Sequence, residues 1–481
     1  MSKVAVIGSG FSSLAAACYL AQSGHEVSIY EKNDTVGGRA RRLVKDGFTF
    51  DIGPSWYWMP DIFERFFEDF NKKPSDYYQL DKLSPAYSVV FEDEKIEIPD
   101  NLEDIKATFE KVEKGSSKPL QQFMSKAEEN YEIAIKNLVY RPGESPLELI
   151  TPQTAKKVGA FIGNVSKFTN PKLISILEFP VLFLGATPQK TPSFYNFMNY
   201  ADFGLGTWHP KGGMYEVIIA MKKLAEELGV VIKTNSPIDE ILVDDNGRVE
   251  GIMTGGQKHL YPIVLSGADY HHSETLLPQN YRQYSESYWE KKTFAPSSLI
   301  FYVGFDKKLK NIDHHNLFFD TDFTKHANEI YEDPKWPEEP LFYANFTSLT
   351  DASTAPEGCE NGFFLIPLAP DLEDTPELRE KYFDKIIKRF ELRTEQNVSD
   401  HIIFKESFCV NDFISEYNSY KGNAYGMANT LLQTAFLRPN LRSRKVRNLY
   451  FTGQLTVPGP GVPPSLISGK LAAELINKHD Q

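Results

Sequence analysis

The sequence predicts an α/β protein in which one parallel-sheet domain is discontinuous and a second, mixed helix/sheet domain is inserted into it in pieces. Three observations carry this. A strand–turn–helix–strand unit fills residues 3–30. A strand and a helix close the chain over 449–477. Between them the segment type alternates from helical to α/β to mixed.

The elements follow from the pattern of apolar residues. KVAVI (3–7) reads as a buried parallel strand, FSSLAAACYLAQ (11–22) as a sandwiched helix of small residues, and EVSIY (26–30) as the next strand. From about 60 to 170 the chain turns amphipathic and helical, with IFERFFEDF (62–70) and LQQFMSKAEENYEIAIKNL (120–138). Residues 214–228 space Val217, Met221, Leu224 and Leu228 on one helical face, and Gly229 stops that helix. Strands at 230–234, 237–245 and 248–255 follow, the last two joined by an Asn246-Gly247 hairpin turn. SSLIFYVGF (297–305) is a strand, 310–375 reads as acidic loop, and 376–391 as helix. LYFTG (449–453) is a strand, and the final helix is expected to open at Pro464 or Ser465 and to bury Leu466, Ile467, Leu471 and Leu475. This assigns 1–70, 205–290 and 410–481 to the nucleotide-binding domain, and 71–204 and 291–409 to a substrate and membrane-associated domain.

Composition bounds the function. The chain has 481 residues, 41% hydrophobic and 24% charged, which excludes a disordered chain or a small disulfide scaffold. Lys and Arg number 52 against 65 Asp and Glu, a net charge of −13. That excess argues against nucleic acid as a partner and against attachment to anionic lipid by charge alone. Aromatics reach 13%, enough to line a large apolar cavity. Cys18, Cys359 and Cys409 are few, odd in number and widely spaced, which favours a reducing cytoplasm over disulfides or a zinc site. His271–His272 and His314–His315 are expected to be loop or surface histidines, and no metal is expected. Gly8 and Gly10 interrupt the apolar amino terminus, so it is not read as a signal peptide. No run of 18 apolar residues occurs; the longest stretch, 174–186, is broken by Glu178 and Pro180.

The chemistry begins at Gly8-Ser9-Gly10-Phe11-Ser12-Ser13, directly after the first strand. Gly8 permits the tight turn and Gly10 lets a pyrophosphate approach the backbone at the helix N-terminus. Ser13 stands where a third glycine is usual and must allow close helix–strand packing. Glu31 ends the second strand, placed to accept ribose hydroxyls and to repel a 2′-phosphate, which disfavours NADP. Val36-Gly37-Gly38-Arg39 adds exposed backbone and a guanidinium that can pair with pyrophosphate. The extended pattern, with FTFDIGPS (48–55), is similar to amine-oxidase-like flavoproteins more than to nicotinamide dehydrogenases.

Near the carboxy terminus, Gly459 and Gly461 precede the open end of the last helix, a second site that attracts negative charge. Aimed at the N1–C2=O edge of a flavin, it would stabilise the reduced state and favour hydride acceptance.

Over nearly its whole length the chain resembles the bacterial-type carotenoid (phytoene) desaturase family of FAD-dependent flavoproteins. The carriers are KVAVIGSGFSSLAAACYLA, YEKNDTVGGRA, GFTFDIGPS, 209–241, 265–278, YGMANTLLQTAFLRP (425–439) and the 449–476 segment. The resemblance implies a glutathione-reductase-like FAD domain and a long apolar tunnel for a lipophilic carotenoid. It implies FAD contacts from Gly8, Gly10, Ser12, Ser13, Glu31, Lys32, Gly37, Gly38 and Arg39, and from Gly53, Pro54 and Ser55. Ile238 would meet the adenine, and Thr452, Gly453, Gln454, Gly461, Val462 and Pro463 the flavin. The favoured substrate is phytoene, with a later hydroxylated or monocyclic carotenoid such as a γ-carotene derivative as the alternative.

Desaturation sends one hydrogen as hydride to flavin N5 and the neighbouring one away as a proton. Trp56, Tyr57, Trp58, Phe179, Phe183, Phe194, Tyr195 and Phe197 are the expected tunnel lining. His209, Asp202, Glu178 and Arg438 lie in segments that could approach the flavin, and no base is assigned among them. A flavin-dependent carotenoid isomerase, an amine or protoporphyrinogen oxidase, and a non-catalytic prenyl-binding chaperone of the GDP-dissociation-inhibitor type are the competing readings. The aromatic content favours a long lipid over a small amine, and the intact glycine set argues against the chaperone. A lipid-soluble substrate without a spanning helix implies peripheral docking on the inner face of the cell membrane by an apolar patch. Quinone or oxygen would reoxidise the flavin.

Overall fold

The structure, a computed structural model, describes residues 1–145, 165–182, 185, 193–430 and 432–479. Five parallel strands form the first sheet, in the order Leu449–Phe451, Ile263–Ser266, Lys3–Ile7, Glu26–Tyr30, Val231–Lys233. Strands far apart in sequence thus become neighbours, as crossover connections require.

The helix Phe11–Gln22 lies between this sheet and two other helices, Tyr215–Glu227 and Val462–His479. It can do so because Ala15, Ala16, Ala17 and Cys18 are small and fully buried. The closest approach is at Gly469, where an added Cβ would stand 2.4 Å from the Ser12 carbonyl and 2.8 Å from Ala15 Cβ. The last helix opens at Val462, one step before the prolines rather than at Pro464 or Ser465. Pro463 and Pro464 fit its first turn because N–H groups there have no intrahelical acceptor.

A seven-stranded sheet forms the second layer, in the order Ile402–Phe408, Ser297–Phe305, Glu360–Leu368, Phe342–Asn345, His315–Phe318, Tyr87–Val90, Lys95–Ile98. All its pairs are antiparallel except His315–Phe318 with Tyr87–Val90. Side chains alternate between its two faces. Leu299, Phe301, Val303, Phe342 and Phe364 pack with Phe383, Ile386 and Phe390 of the helix Pro376–Thr394. Ile300, Tyr302, Leu317, Tyr343 and Leu365 belong to the main core on the opposite face.

This sheet corrects the expectation for 310–375. That segment holds three strands and the helix Phe323–Tyr331, not acidic loop. Two of the strands, His315–Phe318 and Phe342–Asn345, have only four residues each, so averaged composition hides them. It also relocates His314 and His315, which are buried at the start of a central strand. His271 and His272 sit on the short helix Tyr270–Thr275, His271 against Glu286 at 2.9 Å. The Asn246-Gly247 hairpin is present, with Asp244 Oδ1 accepting from the Asn246 and Arg248 amides (both 2.9 Å). Among the described residues no helix is long and apolar enough to cross a membrane.

Gly469→Ala forces a methyl into the backbone of the first helix. We expect a loss of about 1–3 kcal/mol in unfolding free energy, measured by urea denaturation, with bound flavin lost at lower urea than in the wild type.

Candidate active site

The carboxyl ends of the parallel strands and the inner face of the seven-stranded sheet enclose one cavity of about 1030 Å³. That is the upper limit for small-molecule sites, large enough for an extended ligand. One part of its wall is backbone and polar: Gly8 to Ser12, Glu31, Gly37 to Arg39, Ser236 to Ile238 and Gly267 to Asp269. Another part is apolar and aromatic: Trp56, Trp58, Phe179, Phe194, Phe197, Ile300, Leu317, Phe319 and Leu365.

The polar part is built for an anion. Gly8 turns at φ 85°, and Gly10 precedes the first helix without any side-chain cap or acidic first-turn residue. Nothing lies within 4 Å of where a Gly10 Cβ would be, so the helix end opens into the cavity. Gly38 backs onto it, its Cβ position 3.3 Å from Gly10 Cα. Glu31 is only 4% exposed. Its Oε2 accepts from Ser9 N (3.0 Å) and Ser9 Oγ (2.6 Å), and its Oε1 from Asn33 N (2.9 Å). Ser9 is thus the residue that aims Glu31, a role the sequence pattern did not reveal.

Arg39 Nη2 donates to Ser419 Oγ (3.0 Å), and the guanidinium lies 5.4 Å from the Tyr417 ring. Its Nε is buried without a partner, and so is Asp269 Oδ2. Gln454 completes the join between the two chain ends, its Oε1 oriented to accept from Arg39 Nη2 at 3.0 Å. An unmatched donor, an unmatched acceptor and an uncapped helix end fit the pyrophosphate and ribose of FAD. Lys32 lines the cavity but extends its Nζ to the Ser415 carbonyl (2.7 Å).

The Gly53-Pro54-Ser55 turn lies close against the Arg39 backbone, where a Cβ on Gly53 would stand 2.3 Å from the Arg39 carbonyl oxygen. Asp51 anchors the same turn by accepting from Met214 N (2.7 Å) and Tyr215 N (2.9 Å), and burial pushes its carboxyl up to about 6. Ile238, Gly453, Gln454, Gly461, Val462 and Pro463 also face the cavity.

Of the residues expected at the cofactor, Ser13 alone does not line the cavity. Its Oγ lies 2.0 Å from the Cβ position of Gly267 and has no partner. Ser13 is therefore a packing contact between helix and sheet, not a ligand contact. Tyr57 is also turned away, stacked on Phe63 with centroids 4.2 Å apart and bonded to Tyr78 Oη at 2.8 Å. In an extended segment Trp56 and Trp58 share one side and Tyr57 takes the other. Phe183 lies outside the described residues.

His209, Asp202, Glu178 and Arg438 are absent from the cavity wall. Asp202 accepts from Tyr87 Oη (2.8 Å), and burial raises its carboxyl to about 8. Burial likewise raises the half-buried Glu178 to about 7. His209 Nε2 sits 3.3 Å from Asp351 Oδ2. Ser55, expected at the site, does line the cavity, but its partner at the wall, Tyr343, and the His315 behind it were not expected there. Ser55 Oγ meets Tyr343 Oη (2.9 Å), which meets His315 Nδ1 (2.7 Å), and Trp56 stacks flat on His315 at 4.1 Å. Burial holds His314 and His315 well below the usual imidazole range, so both are neutral. Among the described residues no cluster could hold a metal ion.

Comparison with known proteins agrees with this geometry. The family described as flavin containing amine oxidoreductase matches residues 11–477. The chain is 41% identical over 483 residues to the carotenoid 3,4-desaturase of Haloarcula japonica, covering 98% of this chain and 97% of that protein. It is 32% identical over 492 residues to the 4,4'-diapophytoene desaturase (4,4'-diaponeurosporene-forming) of Staphylococcus haemolyticus, covering 98% of each. Among solved structures, an oxidoreductase from Methanosarcina mazei superposes with a TM-score of 0.63 at 17% identity, covering 98% of this chain and 100% of that one. A redesigned double mutant of putrescine oxidase gives 0.63 at 13%, covering 99% of each. Fold and site together define an FAD-dependent oxidoreductase. The chain belongs to the carotenoid desaturase family within the flavin containing amine oxidoreductases.

Two outcomes follow. Gly10→Val has room in the protein but fills the ligand space. It should fold with the wild-type far-ultraviolet spectrum and melting curve yet purify with at least about tenfold less FAD, a loss of about 1.4 kcal/mol or more in binding. Asp202 binds its proton more tightly folded than unfolded, so its contribution to stability falls as pH rises from about 4 to about 8. Asp202→Asn should therefore gain on the wild type as pH increases and match it near pH 4, read by urea midpoints at several pH values.

Proposed function

We propose that the enzyme introduces a carbon–carbon double bond near the end of a long carotenoid at a late stage, and that phytoene desaturation is the second reading. The observation that supports a desaturase of a long apolar chain is the continuity of the cavity: the glycine cradle and the aromatic wall enclose the same space. Preference for a late carotenoid rests on the 41% identical carotenoid 3,4-desaturase; the more distant diapophytoene desaturases support the phytoene reading.

FAD would be held by Gly8, Gly10, Ser12, Glu31, Lys32, Gly37 to Arg39, Gly53 to Ser55, Ile238, Gly453, Gln454 and Gly461 to Pro463, and it supplies the hydride acceptor. The chain does the positioning. Trp56, Phe179 and Leu317 would hold the polyene, with its reacting carbons about 3–3.5 Å from the acceptor. One C–H bond gives up hydride, its neighbour gives up a proton, and that second bond's electrons form the new double bond. Tyr343 at the wall and the neutral His315 behind it bring no fixed charge to hold water there. We also propose the two-domain division, with 1–70, 205–290 and 410–481 holding FAD and 71–204 and 291–409 the carotenoid.

The substrate's solubility supports docking on the inner face of the cell membrane, with quinone or oxygen taking the electrons. Leu432 and Leu437 are exposed beside the cavity-lining Thr434 to Phe436, which fits an apolar docking patch.

Co-expression in a colourless bacterium, read by pigment chromatography and mass, tests the function. A late carotenoid precursor should yield a red-shifted product two hydrogens lighter. Conversion of phytoene alone would favour the second reading, and no product from either would overturn both. Membranes washed at about 1 M salt, where charges beyond about 3 Å are screened, should retain the protein, while complete release would contradict apolar docking.

A further inference from the structure

Arg438 is a buried cation with no anion beside it. It is 2% exposed. Nη2 donates to the Met427 carbonyl (2.7 Å) and to Asn429 Oδ1 (2.7 Å), Nη1 reaches the Gln454 carbonyl at 3.4 Å, and Nε has no partner. Among the described residues no carboxylate pairs with it; the ionisable groups that act on it are the Tyr195 and Tyr288 phenols. Burial lowers it only to about 10, so it stays charged at neutral pH. Its hydrogen bonds all end on neutral amides and carbonyls, which a neutral side chain could serve as well. The bonds explain a polar residue here; they do not explain a full charge, whose removal from water is costly without an opposite one.

Its position connects it to the cavity through one loop. The loop from Gly453 to Gly461 is seated on the guanidinium: a Cβ on Gly459 would stand 3.1 Å from Nη2 and 2.9 Å from Asn429 Oδ1. On its other side that loop, through Gly453, Gln454, Pro458, Pro460 and Gly461, lines the cavity. It then enters the last helix, whose first turn carries Pro463 and Pro464 and so offers two fewer N–H donors than an ordinary helix end. The helix brings its dipole but few hydrogens.

We infer that Arg438 supplies, through this loop, the positive charge that stabilises reduced FAD. Oxidised isoalloxazine is neutral; after it accepts a hydride, two electrons and one proton, it bears one negative charge. Arg438 therefore favours the reduced state over the oxidised one and raises the flavin potential. It is a positioning residue, acting through the loop without touching the substrate. The inference rests on the flavin and not on which carotenoid is the substrate.

The test is the midpoint potential of purified holoenzyme, measured by dye equilibration without carotenoid. Arg438→Gln keeps hydrogen bonding and removes the charge. It should shift the ratio of reduced to oxidised flavin at least tenfold toward oxidised, 29.6 mV for a two-electron couple, while oxidised FAD stays bound. Arg438→Lys keeps the charge and should stay within threefold of the wild type. If Arg438→Gln does not retain FAD, Asn429→Asp decides, because it places a carboxylate against the guanidinium and should lower the potential in the same sense. A wild-type potential in the neutral variant, or in Asn429→Asp when that variant decides, overturns the inference. So does an equal fall in Arg438→Lys.

Discussion

The site depends on the contact between the first helix and the last one. Phe11–Gln22 and Val462–His479 approach closely enough that Gly469 faces the Ser12 carbonyl with no space for a methyl group. This contact sets the uncapped end of the first helix and the Gly453–Gly461 loop on the same cavity, although some 440 residues separate them in sequence. The Arg39–Gln454 hydrogen bond fastens the two halves at the cavity itself. The glycine-lined part of the cavity is thus a product of tertiary packing, and small residues at Ala15, Ala16 and Gly469 are its precondition.

The second layer gives the cavity its apolar character. The period of two along its strands sends Ile300, Leu317, Tyr343 and Leu365 toward the cavity and their neighbours toward the helix Pro376–Thr394. A rigid sheet face suits a substrate that offers no charge and few polar atoms, because orientation must come from shape. The buried Ser55–Tyr343–His315 chain is linked by hydrogen bonds, and the His315 ring supports Trp56 from behind. Polar groups therefore border an apolar slot without hydrating it.

Local features were legible in the sequence. The βαβ unit, the glycine turn, Glu31 and the hairpin at Asn246-Gly247 are all fixed by residues close along the chain, so periodicity and turn chemistry find them. Non-local features were not. The strands at 315–318 and 342–345 are four residues each and owe their existence to partners elsewhere in the sheet. With the sheet unseen, His314 and His315 looked like loop residues. Ser13 packs against Gly267, as its place in the motif predicts, and stands off the cavity. Tyr57 could not be separated from Trp56 and Trp58 until the extended backbone gave them opposite sides. The unpaired charge of Arg438 is likewise a property of its surroundings, invisible in a sequence where acidic residues outnumber basic ones.

The central claim is that one enclosed space brings flavin and carotenoid together for hydride transfer. Anaerobic mixing of holoenzyme with one equivalent of carotenoid in liposomes tests it most directly, with flavin and polyene absorbance followed together. Flavin bleaching and the red-shifted polyene should then rise with the same rate constant, one flavin reduced per double bond formed. A polyene that changes shape or isomerises while the flavin stays oxidised would contradict it.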